Sequence, residues 1–127
     1  MSSLYQEKLL KQDVNISTSG DNTVITIGQG EMPSAWDNAA EYIVIDHINL
    51  VPTAPVTVQL KSGTVAEGQT NYGGAYPLTT SQGFVLENAI MNDLGIITLG
   101  PNKSFVINLS GSVQVSGFIR YRRLMSN

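Results

Sequence analysis

His47 is the single histidine of the chain, and it follows Asp46. A histidine beside a carboxylate is the commonest way to build a general base. Both residues, however, lie in Glu41–Val51, a run whose β-branched Ile43, Val44, Ile45, Ile48 and Val51 predict a strand. Neighbours on a strand point to opposite faces, so the two are not expected to meet. The carboxylates are scattered through loops and strand ends, and no spacing forces two of them into an acid/base pair. Asp21-Asn22 and Asn92-Asp93 could offer oxygen to calcium, but no EF-hand loop surrounds them. Gly100-Pro101-Asn102-Lys103-Ser104 has the Lys-Ser of a phosphate loop without its second glycine or following helix. Neither Ser110-Gly111-Ser112 nor Ser116-Gly117 fits Gly-x-Ser-x-Gly. The chain has no cysteine, which excludes disulfides, thiol catalysis and zinc–thiolate sites. No enzyme activity, metal or cofactor is expected.

Arg120, Arg122 and Arg123 form the basic cluster of the sequence. On a strand, Arg120 and Arg122 share one face, opposite Ile119 and Tyr121. They either coat a solvated face and protect an edge or pair with acidic groups of a partner. Phe118 lies on the same face, with Val106 one strand back. Apolar groups beside arginines suit an oligomer contact.

The element that must position these residues is Ser104–Arg122. Phe105, Ile107 and Leu109, then Val113, Val115, Ile119 and Tyr121, alternate with mostly polar residues, which predicts two strands with odd-numbered side chains in a core. A hairpin with the three-residue loop Ser110-Gly111-Ser112 pairs Leu109 with Val113, Ile107 with Val115 and Phe105 with Gly117, and is the expected register. An arch between two sheets keeps the same parity.

Further short strands are predicted at Val14–Ser17, Thr23–Ile27, Val56–Lys61, Gly83–Leu86 and Ile96–Leu99, each bounded by turn formers. Asn71–Pro77, with Tyr72 and Tyr76 among glycines, reads as a recognition loop. Trp36, in an irregular stretch, either plugs one end of the core or anchors an interface. About eight short strands and no long helix predict an all-β fold, an antiparallel β-sandwich or barrel. Residues 14–127 are expected as one domain, and residues 1–13 as an N-terminal arm. Leu4, Tyr5, Leu9 and Leu10 are its apolar points, and the arm either frays or lies on a neighbouring subunit.

The chain has 127 residues, a net charge of −3 and a charged content of 13%, against a usual ~25%. The acidic balance argues against a nucleic-acid partner, and low charge suits outer faces covered by other chains. No stretch reaches the ~18 apolar residues of a membrane span, and no signal peptide is read at the N-terminus, which fits synthesis in a cytoplasm.

Pro101 followed by Phe105-Val106-Ile107-Asn108-Leu109-Ser110, then Val113-x-Val115-x-Gly117-Phe118-Ile119-Arg120-Tyr121-Arg122, is similar to the C-terminus of small tailed-bacteriophage capsid decoration (head-stabilising, or cement) proteins. The earlier Val56–Gly63 strand, the Gly-rich insert and Gly83–Leu86 follow that family's order, so the resemblance covers roughly residues 42–123. It implies a non-enzymatic virion protein with a jelly-roll-like sandwich, trimeric and clamped across neighbouring major capsid protein subunits on the capsid surface. Leu4, Tyr5, Leu9, Leu10, Trp36, Tyr72, Tyr76, Phe118, Arg120 and Arg122 are the candidate contacts. The alternatives are a head-fibre, tail or adhesin module, and a carbohydrate-binding jelly roll using Trp36, Tyr72 and Tyr76 as stacking platforms.

Overall fold

Period-2 runs of β-branched and aromatic residues become ten strands among the described residues. The computed structural model describes residues 4–6, 9–28, 40–80, 83–87 and 95–126. The strands are β1 (Leu4–Gln6), β2 (Leu10–Ile16), β3 (Gly20–Ile25), β4 (Ala40–Pro52), β5 (Val56–Ser62), β6 (Thr70–Leu78), β7 (Phe84–Glu87), β8 (Ile97–Thr98), β9 (Phe105–Leu109) and β10 (Val115–Ser126).

They form two antiparallel sheets. The larger runs β2-β10-β4-β7, with β1 also along β10 and β8 also along β4; the smaller runs β3-β9-β5-β6. Pairing β2 with β10, β3 with β9, β4 with β7 and β5 with β6 resembles one long hairpin folded over on itself. The fold closes by β10 joining β4 and β9 joining β5. This is the winding of a jelly-roll sandwich. Strands β1 and β6 raise the number above the eight or so expected.

The core lies between the inner faces. Ile43, Ile45, Ile48 and Leu50 of β4 and Ile119 and Tyr121 of β10 meet Val58 and Leu60 of β5 and Phe105, Ile107 and Leu109 of β9. The expected odd-numbered parity holds through both closing strands: Phe105, Ile107, Leu109, Val115, Ile119 and Tyr121 are all buried. The expected hairpin does not form. Leu109 pairs with Gly20 and Val58 instead of Val113, and Val115 pairs with Ile16 and Pro52. Residues 110–114 arch from one sheet to the other, so the apolar faces of β9 and β10 meet across the core rather than side by side. Val106 and Phe118 therefore belong to different sheets and share no face.

Other expectations also change. The arm boundary at residue 13 falls inside β2, because Leu10–Asp13 pair with β10 from Tyr121 to Phe118. The loop expected at Asn71–Pro77 is β6, paired with β5. Its glycines and Pro77 are tolerated because β6 is an edge strand, and the β5–β6 register shifts between Val58 and Leu60.

In a regular strand Ile43 and Ile45 could not share a face with Ile48 and Leu50. The β4–β10 register skips Asp46: Arg120 faces His47, and Tyr121 faces Ile45. This bulge switches the parity and puts all four side chains inside.

Candidate functional site

The outer face of the larger sheet brings the sequence-predicted basic and aromatic residues together. Register aligns its side chains in rows across the strands. One row is Lys11 (β2), Arg120 (β10) and His47 (β4); the next is Asp13, Phe118, Asn49 and Val85 of β7. Adjacent members of a row are about 4.8 Å apart across the strands.

Phe118 is the centre. Its ring stacks on the His47 imidazole, with centroids 5.2 Å apart and planes 9° from parallel. Lys11 Nζ lies 5.5 Å and the Arg120 guanidinium 5.7 Å from the Phe118 centroid, within cation–π range. Val51 and Val85, 49% and 55% exposed, lie on the same face.

The bulge corrects the expectation that Asp46 and His47 point to opposite faces. Both reach partners on this outer face: Asp46 accepts from Arg122 Nε at 2.7 Å and Nη2 at 3.0 Å, while His47 stacks on Phe118. With both oxygens of Asp46 held by one guanidinium, the arrangement anchors the bulge. Among the described residues, no group of three His, Asp or Glu side chains converges as metal ligands would.

The arginine cluster read in the sequence separates into three environments. Arg120 is exposed on the row, Arg122 is tied to Asp46, and Arg123 is buried. Arg123 pairs with the equally buried Glu41 and also donates to the Thr26 carbonyl at 3.3 Å. The other Glu41 oxygen accepts from Gly28 N–H at 2.7 Å. Parity was the available signal, since Glu41 and Arg123 both occupy odd positions with inward-facing neighbours.

Tyr72 and Tyr76 pack against the core from β6. Tyr72 donates its hydroxyl to the Thr98 carbonyl at 2.8 Å, and the Tyr76 ring tilts against Phe84 at 4.7 Å, so both link β6 to the opposite sheet. Leu10 is half-buried against the core, and Leu9 is 50% exposed. Leu4 and Tyr5 lie in β1, in register with Ser126 and Met125. Trp36 lies outside the described residues.

Two polar networks were not foreseen. On the smaller sheet, Asp21 accepts from Gln69 and Asn108, each at 2.8 Å, and lies 3.3 Å from Lys61 Nζ. Gln69 and Asn108 hold its carboxyl below the usual range; burial opposes them, and Lys61 adds to the lowering. Glu67 accepts from Ser104 N–H at 2.9 Å, Thr64 N–H at 3.0 Å and the Ser104 hydroxyl at 3.0 Å. Burial pushes the Glu67 carboxyl up, but those hydrogen bonds and the Lys103 charge outweigh it and hold it low. Ser104 Oγ also accepts from Ile27 N–H at 3.0 Å, fastening the 63–69 loop to β9 and the end of β3.

The fold defines the chain as a jelly-roll β-sandwich. No protein-family model matches the sequence, and no curated protein sequence does. Among solved structures, it is similar to a chain from Bacillus endospore appendages, described as forming a novel family of disulfide-linked pili. Identity is 13%, coverage is 99% of this chain and 88% of that chain, and the TM-score is 0.41. A likeness at this level carries no functional argument, and this chain has no cysteine for such a linkage.

Proposed function

We propose that this chain is a structural protein of a virion, a homotrimer that decorates the capsid surface and stabilises the shell by binding across neighbouring major capsid protein subunits. The observation that carries the reading is the outer face of β2-β10-β4-β7, where exposed Arg120, Val51 and Val85 surround the half-buried Phe118. Cation and apolar surface together suit a protein contact. The resemblance of the closing strands to phage decoration proteins adds to this. Jelly-roll winding recurs in viral coat domains but also in lectins and cupins, so its support is analogy. Each copy would make a modest contact, and linked copies would bind through avidity.

A head-fibre, tail or adhesin module uses the same kind of face and differs in location. The carbohydrate-binding alternative is less favoured, because Tyr72 and Tyr76 spend their rings on the core. The test is sedimentation of the pure protein, alone and with emptied heads, together with antibody labelling of whole particles. A trimer that sediments with shells and labels the head is expected. A monomer indifferent to shells, or label on the tail, would overturn the proposal.

A further inference from the structure

Lys11 and Arg120 are register partners on adjacent strands, so two like charges stand directly opposite each other, an arrangement that destabilises a sheet. Both lie against the same Phe118 ring. Among the described residues, Arg122 is matched by Asp46, Arg123 by Glu41 and Lys61 by Asp21, and the Lys103 charge acts on Glu67. Lys11 has Asp13 at 3.4 Å, but their side chains are 52% and 79% exposed, and ion pairs so open to water contribute little. Arg120 is exposed and has no carboxylate within ion-pair distance among the described residues.

We infer that this face takes a carboxylate-bearing segment of another protein. One acidic side chain bridges Lys11 and Arg120 above Phe118, and an apolar neighbour rests by Val85 and Val51. The bridging carboxylate relieves the repulsion between the two cations and forms charge-assisted hydrogen bonds with both. Exposed Val51 and Val85 beside the two cations favour a protein segment, which carries carboxylates and apolar side chains together, over a nucleic-acid strand, which presents mainly phosphates. This deepens the decoration reading, from which it takes only the expectation that the partner is a protein.

The test follows backbone amide resonances during titration with poly-L-glutamate and, separately, with a single-stranded oligonucleotide. Poly-L-glutamate is expected to shift Lys11, Phe118 and Arg120. Arg120→Gln is expected to weaken its binding about tenfold. Ser112→Glu, the same one-unit charge change on an exposed loop, is expected to weaken it less than about twofold. Equal losses in the two variants, shifts confined to other surfaces, or equally tight oligonucleotide binding would overturn the inference. So would a homo-oligomer that Arg120→Gln disperses, which would assign the face to contacts between copies. Shells bound equally well by wild type and Arg120→Gln would sink this inference and leave decoration standing. Binding of poly-L-glutamate with shells ignored would do the reverse.

Discussion

Arg122 grips Asp46 through two hydrogen bonds, 2.7 and 3.0 Å long, and so ties β10 to the one residue of β4 that its ladder skips. The pair is largely shielded, with side chains 13% and 16% exposed. Arg122→Met should therefore cost about 1–3 kcal/mol in urea denaturation, more than an exposed ion pair would. Deleting Asp46 should leave the fold intact and cost only the lost Arg122 pair, because Ile45 and Ile48 would then stand two apart and regular alternation would keep Glu41, Ile43 and Ile45 inside. A deletion variant that fails to fold would refute the account of the bulge.

Gly117 has φ +155°, and a Cβ there would lie 1.8 Å from the Asn49 carbonyl oxygen. That oxygen belongs to the neighbouring strand and cannot step aside without breaking the ladder. Gly117→Ala should cost about 3 kcal/mol or more or leave the protein insoluble. Gly111→Ala, where a Cβ meets nothing within 4 Å, should stay within about 0.5 kcal/mol of wild type. Similar melting temperatures for the two variants would contradict this.

Asp21 and Glu67 both titrate below their ordinary values when folded. A depressed carboxylate binds its proton less readily in the native state than in the unfolded chain. Its contribution to stability is therefore fully present above the ordinary carboxylate range of about 4 and fades as pH falls through the lower, folded value. Thermal scans should show a flat melting temperature from neutral pH down to about 5 and a fall below about 4. Glu67→Gln should lower the neutral-pH value and make the acid fall shallower. An unchanged acid slope would show that Glu67 is not among the responsible groups.

Arg123 and Glu41 lie inside the sandwich, 5% and 3% exposed. Arg123→Met strands a buried carboxylate and should cost about 3–5 kcal/mol. The double variant Glu41→Met/Arg123→Met should recover much of that loss, because an apolar pair removes the desolvation of both charges. Gly28 N–H and the Thr26 carbonyl, on exposed residues, can then turn to water. Additive losses in a double-mutant cycle would show that the two charges do not depend on each other.

Much of the architecture is legible in the chain. Val56, Val58 and Leu60 alternate as written and are buried as written. The Gly100–Lys103 turn holds Asn102 at φ 56°, the conformation its residue type favours. Strand β6 is not legible, since Tyr72-Gly73-Gly74-Ala75-Tyr76-Pro77 has loop composition; an edge position beside β5 makes it a strand. Phe118 and Arg120 can be read as one face, but Lys11 and His47 cannot be added to it, because both come from strands more than seventy residues earlier in the chain than Phe118.

The order of side chains along a strand is local, so alternation from Phe105 to Tyr121 by itself determined which residues meet the core and that the domain is built from extended layers. Parity is the same whichever strand lies alongside. For that reason it could not choose between a hairpin and an arch, and only the packing of the two sheets sent β9 to β5 and β10 to β4. The same packing separated the three arginines, placing Arg123 against Glu41, Arg122 against Asp46 and Arg120 in the open, because each one's environment depends on residues brought in from distant strands.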